Sequence, residues 1–232
     1  MLILDLFSGI GGFSLGLEKV GFKTIAFCEI DKFFQQILRK HWPDIPIFED
    51  VRKLSKDDIE YADIICGGFP CQDLSVCGKR AGLEGKHSGL WTEFARLIGE
   101  LRPKFVIVEN VPGVLVRGFS RILSDLADVG YDAEWEGIPA AAVGASHYRA
   151  RQWLVAYPSS FGDRLQNNTI FAGRGTIELC NRWESEPKLD RVANGIPHRV
   201  DRIAALGNAI VPKITETIGK AIIACMADDK GV

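Results

Sequence analysis

Short apolar runs alternate with stretches whose apolar residues recur at helical intervals over the first two thirds of the chain. LILDLF is short enough for a buried strand, and the SLGLEKVG that follows carries Leu15, Leu17 and Val20 at helical spacing. TIAFCEI (24–30) predicts a second strand and KFFQQILRKHW (32–42) a helix ended by Pro43. The same order returns with ADIICGGF (62–69), a helix across 90–101 and KFVIVENV (104–111). Residues 119–129 predict another helix, and WEGIPAAAV and RQWLVAY two closing strands. Strands alternating with helices imply an α/β domain built on a doubly wound, mostly parallel sheet covered on both faces. That pattern holds over residues 1–157 and fails over 158–198, a loop-rich stretch without either period. It resumes in 199–232 as one or two helices around a Gly-Asn-Ala turn, apolar enough to pack back on the sheet.

Composition narrows the class without changing that architecture. The chain has 232 residues, 47% hydrophobic and 25% charged, with a mean hydropathy of +0.05. These values suit one sizeable core and exclude disordered, collagenous and membrane-spanning classes. MLILDLFSGIGG has no basic leader and carries Asp5 inside its apolar run, so a cytoplasmic location is expected and no membrane partner. The six cysteines are scattered and form no C-x-x-C pair, which argues against a disulfide framework and structural zinc; no metal is expected. The net charge of −2 is unevenly spread. Acidic residues dominate 1–146 and basic ones 147–213, which favours a polyanion contacted by one part of the chain.

Gly9, Gly11 and Gly12 lie between a strand and a helix, where backbone N–H groups approach a ligand closely and the helix dipole favours negative charge. Glu29 ends the next strand, where a carboxylate accepts from ribose hydroxyls. Together they favour an adenosine-bearing cofactor and leave nicotinamide and S-adenosylmethionine undistinguished. Cys71, behind Pro70, stands at a strand's carboxyl end, where doubly wound folds bind ligands, and suits either a nucleophile or packing. Glu109 and Asn110 end another strand; a partly desolvated carboxyl there could donate a proton near neutrality, and the plain alternative is a helix cap or surface ion pair.

DLFSGIGG (5–12), CEID (28–31), EDVRK (49–53), GGFPCQDLS (67–75), GKR…HSGLW (78–91), ENVPG (109–113), RAR (149–151) and LGNAIVP (206–212) occur in the order of one known family. The chain resembles DNA (cytosine-5) methyltransferases, and its tail looks most like bacteriophage and prophage versions. The resemblance implies a Rossmann-like fold dependent on S-adenosylmethionine, with S-adenosylhomocysteine as product and double-stranded DNA as substrate. It implies that Cys71 adds to cytosine carbon 6 while Glu109 protonates ring nitrogen 3. Arg151 would donate to the exocyclic oxygen, with Arg149, Asn110 and Pro70 shaping a pocket for the flipped-out base. For the cofactor it carries over Phe7, Ser8, Gly9, Gly11, Gly12, Glu29, Ile30, Asp50, Val51, Pro70, Leu90 and Asn208. Phe7 and Ile30 would pack around adenine, Asp50 would accept from its amino group and Asn208 would reach the methionine end. A monomer is expected. A cognate restriction enzyme is compatible with the pattern and not demonstrated by it.

The chain departs from the family in two places. His147 stands in SHYRAR where the family has glutamine. Between closing strand and tail, 158–198 replaces a much larger target-recognition domain, so recognition is assigned to a reduced segment that leans on the rest of the protein. Lys79 and Arg80 are suited to phosphate contacts, and Arg164, Arg174 and Arg182 to phosphates and base edges. A site of roughly two to four base pairs follows, since each contacted pair needs its own side chains. The alternatives are a catalytically inactive module that binds S-adenosylmethionine or DNA, and an RNA cytosine-5 methyltransferase.

Overall fold

The structure is a computed structural model that describes residues 1–70, 89–162, 169–171, 201 and 206–228. Its strands are β1 (Leu2–Leu6), β2 (Lys23–Cys28), β3 (Ile47–Phe48), β4 (Ile64–Gly67), β5 (Phe105–Asn110), β6 (Tyr131–Pro139) and β7 (Ala150–Pro158). They form one sheet in the order β3-β2-β1-β4-β5-β7-β6. The helices are α1 (Gly12–Glu18), α2 (Lys32–His41), α3 (Gly89–Leu101), α4 (Val114–Arg117), α5 (Phe119–Asp128), α6 (Ser159–Gly162) and α7 (Pro212–Asp228).

β1 to β5 pair in parallel, whereas β7 runs antiparallel between β5 and β6. The sequence pattern does not show this reversal. Its cause is the short link from Pro139 to Ala150, which holds only a 3-10 turn at Ala140–Val143 and cannot make the crossover that a parallel pair needs. That turn also cuts short the strand expected over WEGIPAAAV, which instead begins earlier, at Tyr131. The two-residue edge strand β3 and the single-turn α4 are further elements that periodicity over longer windows passes by.

Strand alternation divides the core. Leu4, Leu6, Ile65, Val106 and Val108 face a layer made with α3 and α5, including Trp91, Phe94, Leu97, Ile122 and Leu126. Ile3, Ile64, Cys66, Phe105 and Ile107 face the other side, where Phe13 and Leu17 of α1 meet Ile214, Ile218 and Ile222 of α7. Ile170 and Phe171 are buried on this second face, and Glu134 of β6 accepts from their N–H groups at 3.2 and 3.3 Å. Asp5, wholly buried, accepts from the N–H and Oγ of Ser14 (3.3 and 2.8 Å), which holds α1 against β1. Burial pushes its carboxyl up to about 8.

α1 and α7 touch through glycine: a methyl group on Gly16 would overlap Thr215 Oγ1 and the carbonyl oxygen of Pro212. Backbone cannot yield as a flexible side chain can, so Gly16→Ala is expected to cost about 3 kcal/mol. A denaturant titration showing a loss below about 1 kcal/mol would mean that the helices separate freely.

Candidate active site

The carboxyl ends of β1, β2, β4 and β5 and the start of β7 surround a cavity of about 640 Å³. Parallel strands leave their loops at this edge, where ligands bind in doubly wound sheets.

On one side the chain leaves β1 through left-handed backbone at Phe7 (φ 52°), Gly9 (φ 55°) and Gly11 (φ 83°). Ser8 pins the turn, its Oγ donating to the Asp5 carbonyl at 2.6 Å and its N–H to the Cys28 carbonyl at 3.2 Å. Gly9 lines the cavity, and a Cβ there would meet nothing within 4 Å, so the place of the missing side chain opens to a ligand. Its N–H donates to Glu29 Oε2 at 2.7 Å, while Glu29 Oε1 accepts from Asp31 N–H at 2.8 Å. Burial raises the Glu29 carboxyl above the ordinary range against the pull of those two amides. Gly11 and Gly12 lie behind the wall: side chains there would strike Trp42 (2.6 Å) and the Ile210 carbonyl (2.7 Å). Their glycines serve packing of α2 and of the segment before α7.

Phe7 lines the cavity and stacks on Phe94 with ring centroids 6.3 Å apart, and Ile30 is 69% exposed on the rim. Val51 and Leu90 also line it. Asp50 binds the Arg52 guanidinium through both oxygens (2.9 Å from Nε, 2.8 Å from Nη2), which holds its carboxyl below the usual range. The wall therefore offers an aromatic face, two carboxylates and a glycine amide loop. This donor and acceptor set fits an adenosine with its ribose and a charged tail.

Glu109, at the end of β5, is 8% exposed and accepts from Arg151 Nε at 2.9 Å. Burial pushes its carboxyl up to about 7, outweighing the pull of Arg151 and Arg149. It is poised to hold or release a proton near neutrality. Gly68 supplies the room: a Cβ there would stand 3.0 Å from Glu109 Oε2. Asn110 braces the loop after β4, donating from Nδ2 to the Phe69 carbonyl at 3.0 Å, and its Oδ1 accepts from Val111 N–H at 2.9 Å. Arg149 donates to the carbonyls of Leu206, Gly207 and Ala209, which flank the cavity-lining Asn208.

One cavity thus gathers Phe7, Ser8, Gly9, Glu29, Ile30, Asp50, Val51, Pro70, Leu90, Glu109, Asn110, Arg149, Arg151 and Asn208, and leaves out Gly11 and Gly12. Cys71, Lys79, Arg80, Arg164, Arg174 and Arg182 lie outside the described residues. The described chain leaves the wall at Pro70 and rejoins it at Gly89 and Leu90. Sequence reading missed Arg52, Gly68 and Ile210. All three sit inside quoted motifs, but nothing in their spacing singled them out. His147 is exposed. Among the described residues no His, Cys, Asp or Glu cluster could hold a metal, and no helix is long and apolar enough to cross a membrane.

The model of the family described as C-5 cytosine-specific DNA methylase matches residues 1–177. Type II methyltransferase M2.BsuMI of Bacillus subtilis is 33% identical over 206 residues, 85% of this chain and 49% of its own length. Type II methyltransferase M.CviJI of Paramecium bursaria Chlorella virus IL3A is 36% identical over 156 residues, 66% of this chain and 42% of its own. A candidate DNA modification methyltransferase encoded within an E. coli prophage has a solved structure that matches with a TM-score of 0.59 at 30% identity, over 70% of this chain and 48% of that one. The chain spans about half the length of the curated relatives it matches. With the family model spanning most of the sequence and the fold and motif order in agreement, the chain belongs to the C-5 cytosine-specific DNA methylase family.

Proposed function

We propose that this chain transfers a methyl group from S-adenosylmethionine to carbon 5 of a cytosine flipped out of duplex DNA, by way of a covalent bond to Cys71. The observation that carries the reading is Glu109: a buried carboxyl with its pKa pushed up to about 7, paired with Arg151, on the same cavity as the glycine loop and Glu29. Gly9, Glu29, Asp50, Phe7 and Asn208 would hold the cofactor, which supplies a methyl group bound to a sulfonium sulfur.

Cytosine carbon 5 is a weak nucleophile, and the side chains answer that weakness. Cys71 Sγ forms a bond to carbon 6, the ring electrons move toward nitrogen 3, and Glu109 delivers its proton there. Carbon 5 becomes the electron-rich end of an enamine and can accept the methyl group. Loss of the carbon 5 proton to water, expulsion of the Cys71 thiolate and return of the nitrogen 3 proton to Glu109 restore the ring. Arg151 holds Glu109 in place and has donors left for the base's exocyclic oxygen. Base extrusion costs roughly a few kcal/mol, which contacts in the pocket must offset.

In this reading residues 1–157 hold cofactor and chemistry, 158–198 supply recognition and 199–232 pack back as a helical segment. The burial of Ile170 and Phe171 against the sheet supports a recognition segment that leans on the main body. Lys79, Arg80, Arg164, Arg174 and Arg182 would contact DNA, and the cell compartment would be the cytoplasm of a bacterial or phage-infected host.

Incubation with tritiated S-adenosylmethionine is expected to label duplex DNA at cytosine. Cofactor binding without label would make the chain an inert module, and label in tRNA but not in duplex DNA would make it an RNA enzyme.

A further inference from the structure

Arg149 lines the same cavity as Asn208, Glu109 and Arg151. Its backbone is left-handed (φ 25°), a conformation that an L residue keeps only where its surroundings hold it. The guanidinium makes that hold visible. Nη1 donates to the carbonyls of Gly207 at 2.6 Å and Leu206 at 3.3 Å, and Nη2 to that of Ala209 at 2.8 Å. Residues 206–208 are helical, and the last carbonyls of a helix have no partner within it; the several donors of a planar guanidinium can bond them together. The residue enclosed by this clasp is Asn208, on the cavity wall. Two residues along, Arg151 pairs with Glu109.

We propose that Arg149 is a positioning residue that joins the two ends of the site: its fork caps the carbonyl end of the helical residues 206–208 and so fixes Asn208, and its charge acts on Glu109 from beside Arg151. The inference rests on the methyltransferase reading of the cavity. It assigns Arg149 to that helix end and to Glu109, with the base left to Arg151. Among the described residues, the charged groups acting on Glu109 are Arg151 and Arg149, and the β4 side contributes only the uncharged Gly68.

Calorimetric titration of the whole chain with S-adenosylhomocysteine, combined with a carboxyl carbon-13 NMR titration of Glu109, separates fork from charge. Arg149→Lys keeps the cation and loses the fork, so affinity is expected to fall about tenfold while the Glu109 midpoint stays in place. Arg149→Met loses both, so affinity falls at least as far and the midpoint moves to higher pH, because a cation favouring the carboxylate has gone. A purely structural role would lower the melting temperature and move neither readout selectively. The proposal is overturned if Arg149→Lys binds S-adenosylhomocysteine as tightly as the native chain, or if Arg149→Met leaves the midpoint where it was. Should Arg149→Met fail to fold, the lysine variant carries the test. A native chain with no affinity for S-adenosylhomocysteine overturns the methyltransferase reading instead, and the Glu109 titration still reads the charge of Arg149.

Discussion

Cys71→Ser is expected to lower methyl transfer by at least about 10⁴-fold while cofactor affinity stays within about threefold of the native chain. A thiol is a few per cent thiolate at neutral pH and strongly nucleophilic, whereas a serine hydroxyl is almost wholly protonated and needs a dedicated base to attack. In the proposed mechanism the sulfur serves the pyrimidine and not the methyl donor, so the loss belongs in turnover. The direct measurement is covalent capture on DNA carrying 5-fluorocytosine. Methylation there leaves carbon 5 with fluorine in place of a removable proton, the elimination step is blocked, and enzyme and DNA stay bonded under denaturing conditions. A captured complex that persists in Cys71→Ser would assign the nucleophile to another residue.

The second large effect concerns Glu109. Its carboxyl is pushed up from 4.5 to about 7 by burial, so the proton-donating form declines as pH rises through 7. Methyl transfer is expected to fall along that limb. Glu109→Gln, which cannot donate an acidic proton, should cost ~10²–10⁴-fold and flatten the limb. Stability carries the same signature. A folded pKa above the unfolded one contributes stability that is complete below about 4.5 and lost as pH rises through about 7. The melting temperature of Glu109→Gln relative to the native chain should therefore be higher at pH 8 than at pH 5. An unchanged difference across that range would show that the carboxyl titrates as an ordinary exposed one.

Local pattern accounts for much of this protein. Alternating apolar runs and helical stretches locate most strands and helices to within a few residues, because each strand buries one or both faces and each helix one stripe. Glycines after a strand with an acid at the end of the next point to an adenosine-bearing ligand, since close backbone approach and ribose recognition need those residue types. The motif order from DLFSGIGG to LGNAIVP identifies the family.

Other features depend on which distant segments meet, and no local period reports that. The antiparallel course of β7 brings Arg149 and Arg151 beside Glu109, and it follows from a connection too short for a crossover. Whether Glu109 titrates near 4.5 or near 7 is a balance between desolvation and two guanidinium charges, each fixed by packing. Gly11 and Gly12 read like ligand-loop glycines, yet Trp42 and Ile210 occupy the space their side chains would need. Asn110 lines the cavity, and only the structure shows that its amide is spent on bracing the loop after β4. By itself the sequence determined the elements, the chemical groups and the kinship. The tertiary structure decided which groups share a cavity and in what protonation state, because burial and non-local pairing set the local dielectric and the neighbouring charges.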